Sequence, residues 1–129
     1  MSPEGDVKKK VLIVDDEAPF VDTLRVRLEY EGYEVISADN GEDGLQKAKE
    51  NPLLDIIITD VMMPKMNGYQ LCRELKKNEG TKNIPVIMAT AKAQDSDKLW
   101  GKETGADAYI TKPFEFDDLL NKVKEFLKE

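Results

Sequence analysis

The chain has 129 residues and 40% hydrophobic content, enough for one buried core, so we expect a single domain over residues 1–129 with its core at about 9–128. Its net charge of −7 argues against direct nucleic-acid binding and against binding to an anionic membrane surface, because both require a positive field. The absence of histidine excludes Ser-His and Cys-His catalysis, and the single cysteine, Cys72, excludes an intramolecular disulfide and makes a cytoplasmic location the default.

Five short apolar runs, rich in β-branched residues, predict five strands. In chain order they are VLIV (11–14), YEVISA (33–38), DIIIT (55–59), PVIMAT (85–90) and AYIT (108–111). The apolar run after the basic N-terminal stretch is too short for a signal peptide, and no later run reaches transmembrane length. We therefore expect no membrane insertion.

Segments with helical periodicity lie between the strands and after the last one. The predicted buried faces are Phe20, Val21, Leu24 and Leu28 in the first helix, Leu45 and Ala48 in the second, Leu71, Cys72 and Leu75 in the third, and Phe116, Leu119, Leu120, Val123 and Leu127 in the last. Residues 91–105 predict a further helix with a thin apolar pattern, in which Trp100 is either a half-buried brace or an exposed anchor on an output face. Five strands alternating with five helices indicate an α/β fold with a doubly wound parallel sheet.

Polar side chains follow four of the predicted strands. Asp15, Asp16 and Glu17 follow the first strand, and Asp60 follows the third. Because parallel strands end at one edge of a sheet, we expect these carboxylates to lie together. Two like charges about 4 Å apart repel by roughly 4 kcal/mol at an effective dielectric of about 20, and a hard cation such as Mg²⁺ would relieve this repulsion. The alternative is that Asp16 or Glu17 simply caps the first helix.

The fourth and fifth strands contribute a hydroxyl and a positive charge. Thr90 ends the fourth strand, and Lys112 follows the fifth. Together with the carboxylates they could hold a phosphoryl group, and a carboxylate is a nucleophile that forms acyl phosphates. The residues alone therefore indicate phosphoryl transfer to Asp60, assisted by Mg²⁺.

Four stretches of the sequence resemble one known family. They are VLIVDDE (11–17), TDVMMPKMNG (59–68), PVIMATA (85–91) and GADAYITKPF (105–114). In this order and spacing they resemble the receiver domain of two-component response regulators, of the chemotaxis-regulator type, over essentially residues 9–128. The resemblance implies a flavodoxin-like fold with five helices and the strand order 2-1-3-4-5. It also implies a signalling module whose only chemistry is phosphotransfer to itself and autodephosphorylation, and not an enzyme.

The resemblance also implies a role for each residue of the phosphorylation site. Asp60 would accept the phosphoryl group from a sensor histidine kinase or a phosphotransfer protein. Asp15, Asp16, Asp60 and the backbone carbonyl of Met62 would bind Mg²⁺, and Lys112 would pair with a phosphoryl oxygen.

Three further residues would serve the switch that follows phosphorylation. Thr90 would move inward to bond the phosphoryl group, Tyr109 would turn inward with it, and the peptide bond before Pro113 would be cis. The surface of the fourth helix, fifth strand and fifth helix would then carry the signal to a downstream effector protein.

Two positions that vary in the family flank the expected phosphoryl group. Met62 lies two residues past Asp60, and Lys92 lies two residues past Thr90. Neither side chain can accept a hydrogen bond strongly and orient an attacking water, so both predict a long phosphate lifetime.

Two other functions remain open from the sequence. An Asp-nucleophile phosphohydrolase usually carries a second acid two residues past the nucleophile, where this chain has Met62. An unphosphorylated pseudo-receiver acting as a scaffold is disfavoured by the complete set of three Asp residues, Thr90 and Lys112. If the chain is a fragment, we expect an effector domain after residue 129.

Overall fold

A computed structural model of the protein describes residues 8–91 and 105–128. All five predicted strands are present within a residue of their predicted bounds. They are β1 (Lys10–Val14), β2 (Glu34–Ala38), β3 (Ile56–Thr59), β4 (Val86–Thr90) and β5 (Ala108–Thr111). The short apolar runs rich in β-branched residues therefore locate the strands correctly.

Four helices lie within the described residues. They are α1 (Ala18–Tyr30), α2 (Gly41–Glu50), α3 (Gly68–Lys77) and α4 (Phe116–Leu127). The expectation of five helices includes one over 91–105, and residues 92–104 of that segment, Trp100 among them, lie outside the described residues. The helix that the sequence predicts as the fifth is α4 in this numbering. Over the described part of the chain, none of the helices combines the length and the apolarity that a membrane crossing requires.

The strands form one parallel sheet in the order β2-β1-β3-β4-β5, which confirms the expected doubly wound topology. The register pairs Val14 with Thr59 and Thr90 with Thr111. The residues that follow β1 and β3 therefore leave the sheet side by side, and so do the ends of β4 and β5. This arrangement brings the polar residues at the strand ends to one edge.

Successive strand residues face opposite sides of the sheet and build two cores. On one side α1 and α4 cover a cluster that includes Ile13, Ile58 and Ile87. On the other side α2 and α3 cover a cluster that includes Leu12 and Ile57. All five of these side chains are at most 1% exposed. The central strands are thus fixed from both faces, which gives the residues at their ends a rigid support.

Candidate functional site

Two buried carboxylates lie at the carboxyl edge of the sheet. Asp15 follows β1 and is 3% exposed, and Asp60 follows β3 and is 8% exposed. Each is held by its backbone, since the Asp15 N–H donates to the Ala38 carbonyl at 3.0 Å and the Asp60 N–H donates to the Val14 carbonyl at 2.9 Å. The sheet ladder therefore extends one residue past each strand and fixes both Cα positions.

Asp15, Asp16 and Asp60 form an acidic triad with one carboxylate oxygen from each within 4.8 Å of the others. Asp16 is exposed, whereas the other two are buried. One oxygen of each buried carboxylate is already bonded: Asp15 Oδ1 accepts from the Glu17 N–H at 2.9 Å, and Asp60 Oδ1 accepts from the Val61 N–H at 2.7 Å. These bonds orient the second oxygen of each carboxylate. An all-oxygen donor set of this kind suits a hard divalent cation such as Mg²⁺.

Lys112 brings the positive charge to this site from the end of β5. Its Nζ lies 2.7 Å from Asp15 Oδ2, 3.3 Å from Glu17 Oε1 and 3.5 Å from Asp60 Oδ2. Its side chain is 14% exposed, and the peptide bond that joins it to Pro113 is cis. One ammonium is thus shared among three carboxylates and neutralises only part of their charge.

The burial of the site changes the ionisation of its central ion pair. Burial raises the pKa of the Asp15 carboxyl above its ordinary value of 3.8, and the hydrogen bonds from Lys112 and from the Glu17 N–H offset only part of this effect. Burial alone would lower the pKa of Lys112, but the hydrogen bond to Asp15 and the negative charges of Asp15 and Asp60 raise it above 10.5. Lys112 is therefore charged throughout the neutral range.

The loop between β3 and α3 is packed tightly against the backbone of Asp60. The Gly68 N–H donates to the Val61 carbonyl at 2.9 Å, and a Cβ on Gly68 would collide with the Asp60 carbonyl oxygen. Asn67 caps α3 through a capping box with Gln70. Only glycine at position 68 lets α3 begin this close to Asp60.

The remaining predicted site residues are placed as follows. Thr90 ends β4, and its hydroxyl lies outside the described part of the structure, as does Lys92. Tyr109 lies on β5 and packs, partly buried, against the core beneath α2 and α3. Met62 is 58% exposed and lies in the loop that follows Asp60.

Two contacts at the site are not predicted by the sequence patterns. Glu17 is the N-cap residue of α1, but its side chain makes no capping hydrogen bond and instead reaches Lys112. The ring of Phe20 lies against the same ammonium, with 4.1 Å between Lys112 Nζ and the ring centroid. Phe20 is also an apolar residue of the α1 core face, so its periodicity gives no signal of this second contact.

Comparisons with known proteins agree with this fold. Residues 11–124 match the family model described as the response regulator receiver domain. The Protein PilH of Pseudomonas aeruginosa is 42% identical over 119 residues, which cover 92% of this chain and 97% of that protein. The chemotaxis protein CheY4 of Vibrio cholerae has a solved structure with a TM-score of 0.88 and 32% identity, over 93% of this chain and 99% of the other.

A longer relative matches over part of its length. The alkaline phosphatase synthesis transcriptional regulatory protein PhoP of Bacillus subtilis is 43% identical over 123 residues, which cover 95% of this chain and 50% of PhoP. The chain thus spans about half of the length of this transcriptional regulator and nearly the whole of PilH.

Proposed function

This chain belongs to the response regulator receiver domain family, which comprises signalling modules rather than enzymes, and we propose that it is a switch controlled by phosphorylation of Asp60. Family membership sets aside the phosphohydrolase alternative. The observation that carries the proposal is the Lys112 ammonium, which lies within 3.5 Å of an Asp60 carboxylate oxygen inside the acidic triad. A buried carboxylate beside a fixed cation is equipped to receive a phosphoryl group and to stabilise its charge.

We propose that Mg²⁺ is the cofactor, held by Asp15, Asp16, Asp60 and the backbone carbonyl of Met62. The donor set fits, since its side chains offer only oxygen atoms and carry three negative charges against the single charge of Lys112. When bound, the cation would neutralise charge on the transferring phosphoryl oxygens. The exposure of Asp16 leaves the triad open to solvent on one side, which suits an ion that keeps several waters.

The Asp60 carboxylate has one oxygen without a backbone hydrogen bond, and this oxygen would act as the nucleophile. Its Oδ1 is bonded to the Val61 N–H, so Oδ2 would attack phosphorus while the P–N bond of a phosphohistidine donor breaks and the imidazole leaves. Lys112 needs to move little, because its Nζ is already 3.5 Å from Oδ2. Its ammonium would exchange Asp15 for a phosphoryl oxygen, and this gain of a partner occurs in the phosphorylated state only.

That exchange gives the switch its physical basis. A phosphoryl group adds negative charge and three strong acceptors beside the end of β4. We propose that Thr90 bonds it and that Tyr109 follows by turning inward, which would alter the output surface that the family resemblance assigns to the fourth predicted helix, β5 and α4. A ligand or modification shifts such an equilibrium only through contacts that differ between the two states, and the contacts of Thr90 and Lys112 would differ in this way.

The partners follow from the same chemistry. We propose a sensor histidine kinase or a phosphotransfer protein as the donor, and an effector protein as the reader of the altered surface. We propose that residues 1–129 form a single receiver domain, and that any DNA binding belongs to an effector rather than to this acidic chain. A reducing cytoplasm is the compartment we propose, in keeping with the single, buried Cys72.

The direct test is phosphorylation by a small donor. The chain is incubated with acetyl phosphate and Mg²⁺, and its intact mass is measured. We expect the gain of one phosphoryl group, which is lost again with time and is not gained in the presence of a chelator. A chain that never gains mass while it stays folded would favour the scaffold pseudo-receiver.

A further inference from the structure

Lys112 is held on two sides by different kinds of partner. The carboxylates of Asp15, Glu17 and Asp60 lie within 3.5 Å of its Nζ. The ring of Phe20 also lies against the ammonium, with its centroid 4.1 Å from Nζ. A cation at this distance from a ring centroid is attracted by the electron-rich face of the ring.

Phe20 is itself held in place by a residue close to Lys112 in the chain. The ring of Phe114 meets that of Phe20 edge to face, with centroids 6.0 Å apart and an interplanar angle of 86°. Both rings also pack against the core cluster beneath α1 and α4. Lys112 contacts Phe20, and Phe20 contacts Phe114, which follows Lys112 by two residues in the chain. The loop after β5 therefore supports the ring that contacts its own lysine.

We propose that Phe20 is a positioning residue that keeps the Lys112 ammonium beside Asp60 while phosphoryl transfer takes place. The inference rests on the proposed function, since it assigns a part to Phe20 in phosphorylation of Asp60. Phe20, in the first turn of α1, would act on the phosphoryl oxygens only through Lys112.

The need for such a support follows from the partners that Lys112 must change. Its shortest contact is with Asp15, and that carboxylate is also a proposed ligand of the cation. When Asp15 binds the cation, the lysine loses its nearest anion, and the carboxylate contacts that remain, at 3.3 Å and 3.5 Å, are longer. The ring of Phe20 carries no net charge and ligates no cation, so its attraction for the ammonium persists through the exchange.

The test compares three substitutions of Phe20 with the original chain. Phe20→Leu keeps an apolar residue on the α1 core face but removes the π face, whereas Phe20→Tyr and Phe20→Trp keep it. We expect Phe20→Leu to be phosphorylated by acetyl phosphate about three- to tenfold more slowly at saturating Mg²⁺, with Mg²⁺ affinity within about twofold of the original. Tyr or Trp should restore the rate.

A spectroscopic signature separates this role from simple packing. Protons above an aromatic face are shielded, so the ε-methylene signals of Lys112 should lie upfield in the original chain. They should move to ordinary positions in Phe20→Leu and return upfield in Phe20→Tyr. Phe116→Leu is the matched control, because that ring contacts a different cation, Arg27, with 4.3 Å between the guanidinium carbon and the ring centroid. It should change neither the rate nor the Lys112 signals.

The outcomes are separable from those of the proposed function. If the original chain gains no phosphoryl group, the proposed function fails before Phe20 is tested. If the original chain is phosphorylated and Phe20→Leu matches its rate, or if Tyr and Trp fail to restore a slowed rate, the positioning role of Phe20 is wrong. Melting curves of every variant confirm that the compared chains are folded.

Discussion

The Lys112 ammonium forms an ion pair with the Asp15 carboxylate, with 2.7 Å between Nζ and Oδ2, in a site where both side chains are largely buried. The attraction between the two charges therefore offsets much of the free-energy cost of removing each of them from water. A buried charge left without its partner is strongly destabilising, so this pair links the stability of the fold to the occupancy of the site.

The first prediction concerns the loss of this pair. Lys112→Ala should lower the free energy of unfolding by about 3 kcal/mol without metal, because Asp15 and Asp60 then repel each other with no cation between them. Mg²⁺ should recover much of the loss and should bind at least as tightly as in the original chain, since a competing charge is gone. Phosphorylation-dependent binding of a partner should be lost. Urea unfolding with Mg²⁺ or chelator measures the first two effects.

Lys76→Ala is the matched control for that prediction. Lys76 pairs with Asp107 at 3.3 Å, far from the triad. Its loss should cost less, and the cost should be the same with Mg²⁺ and with chelator. Equal Mg²⁺ dependence in the two variants would contradict a link between Lys112 and the metal site.

The second prediction concerns Mg²⁺ itself. Binding should stabilise the original chain by RT ln(1 + [L]/Kd), about 2.7 kcal/mol at roughly 100 times Kd. Asp16→Asn should remove most of this gain at little cost to the metal-free fold, because Asp16 is the exposed member of the triad. Asp22→Asn, an exposed acid that lines the same cleft as Asp16 but is not part of the triad, should leave the gain intact. The gain is measured by thermal melting with Mg²⁺ and with chelator. An equal gain in the Asp16→Asn and Asp22→Asn variants would count against the site.

The third prediction is a pH dependence set by Asp15. Burial raises the pKa of Asp15 above 3.8, so the metal-free fold is favoured by protonation of this group, and that contribution is lost as pH rises through its folded pKa. Mg²⁺ requires the ionised form. Its affinity should therefore fall on acidification at a higher pH than an ordinary carboxylate would dictate. Calorimetric titration between about pH 7 and pH 4 measures this shift, and an affinity that stayed constant over that range would contradict it.

The fourth prediction concerns the lifetime of the acyl phosphate. Met62 is exposed and lies two residues past Asp60. Neither Met62 nor Lys92 offers an acceptor strong enough to orient an attacking water. Replacing both, Met62→Asn with Lys92→Glu, should shorten the lifetime by about tenfold, or about 1.4 kcal/mol of barrier. The decay of the phosphoprotein in Mg²⁺ is followed by mass. Decay that is unchanged or slower would show that these positions do not control the access of water.

Much of the fold can be predicted from the sequence because strands and helices depend on residues that are close together in the chain. The apolar runs place β1 and β3 within a residue, and a parallel sheet then brings Asp15 and Asp60 to one edge whatever their side chains do. The division of the strand residues between two cores follows in the same way from local alternation along each strand.

The contacts that the sequence does not predict join elements far apart in the chain. Whether Glu17 caps α1 or pairs with Lys112 depends on where the loop after β5 comes to lie, and periodicity contains no information on that. The stacking of Phe20 on Lys112 depends in addition on the Phe114 ring behind it. The close approach of Gly68 to the Asp60 backbone likewise requires the packed position of α3.

The most direct test of the central claim is the intact mass of Asp60→Asn after incubation with acetyl phosphate and Mg²⁺. The side-chain amide of Asn lacks the nucleophilic carboxylate oxygen, so the variant should gain no phosphoryl group, while the original chain and the control Asp39→Asn, an exposed acid that follows β2, should each gain one. Melting curves establish that all three chains are folded. Full incorporation of phosphate into folded Asp60→Asn would contradict the account, because the acceptor would then lie elsewhere.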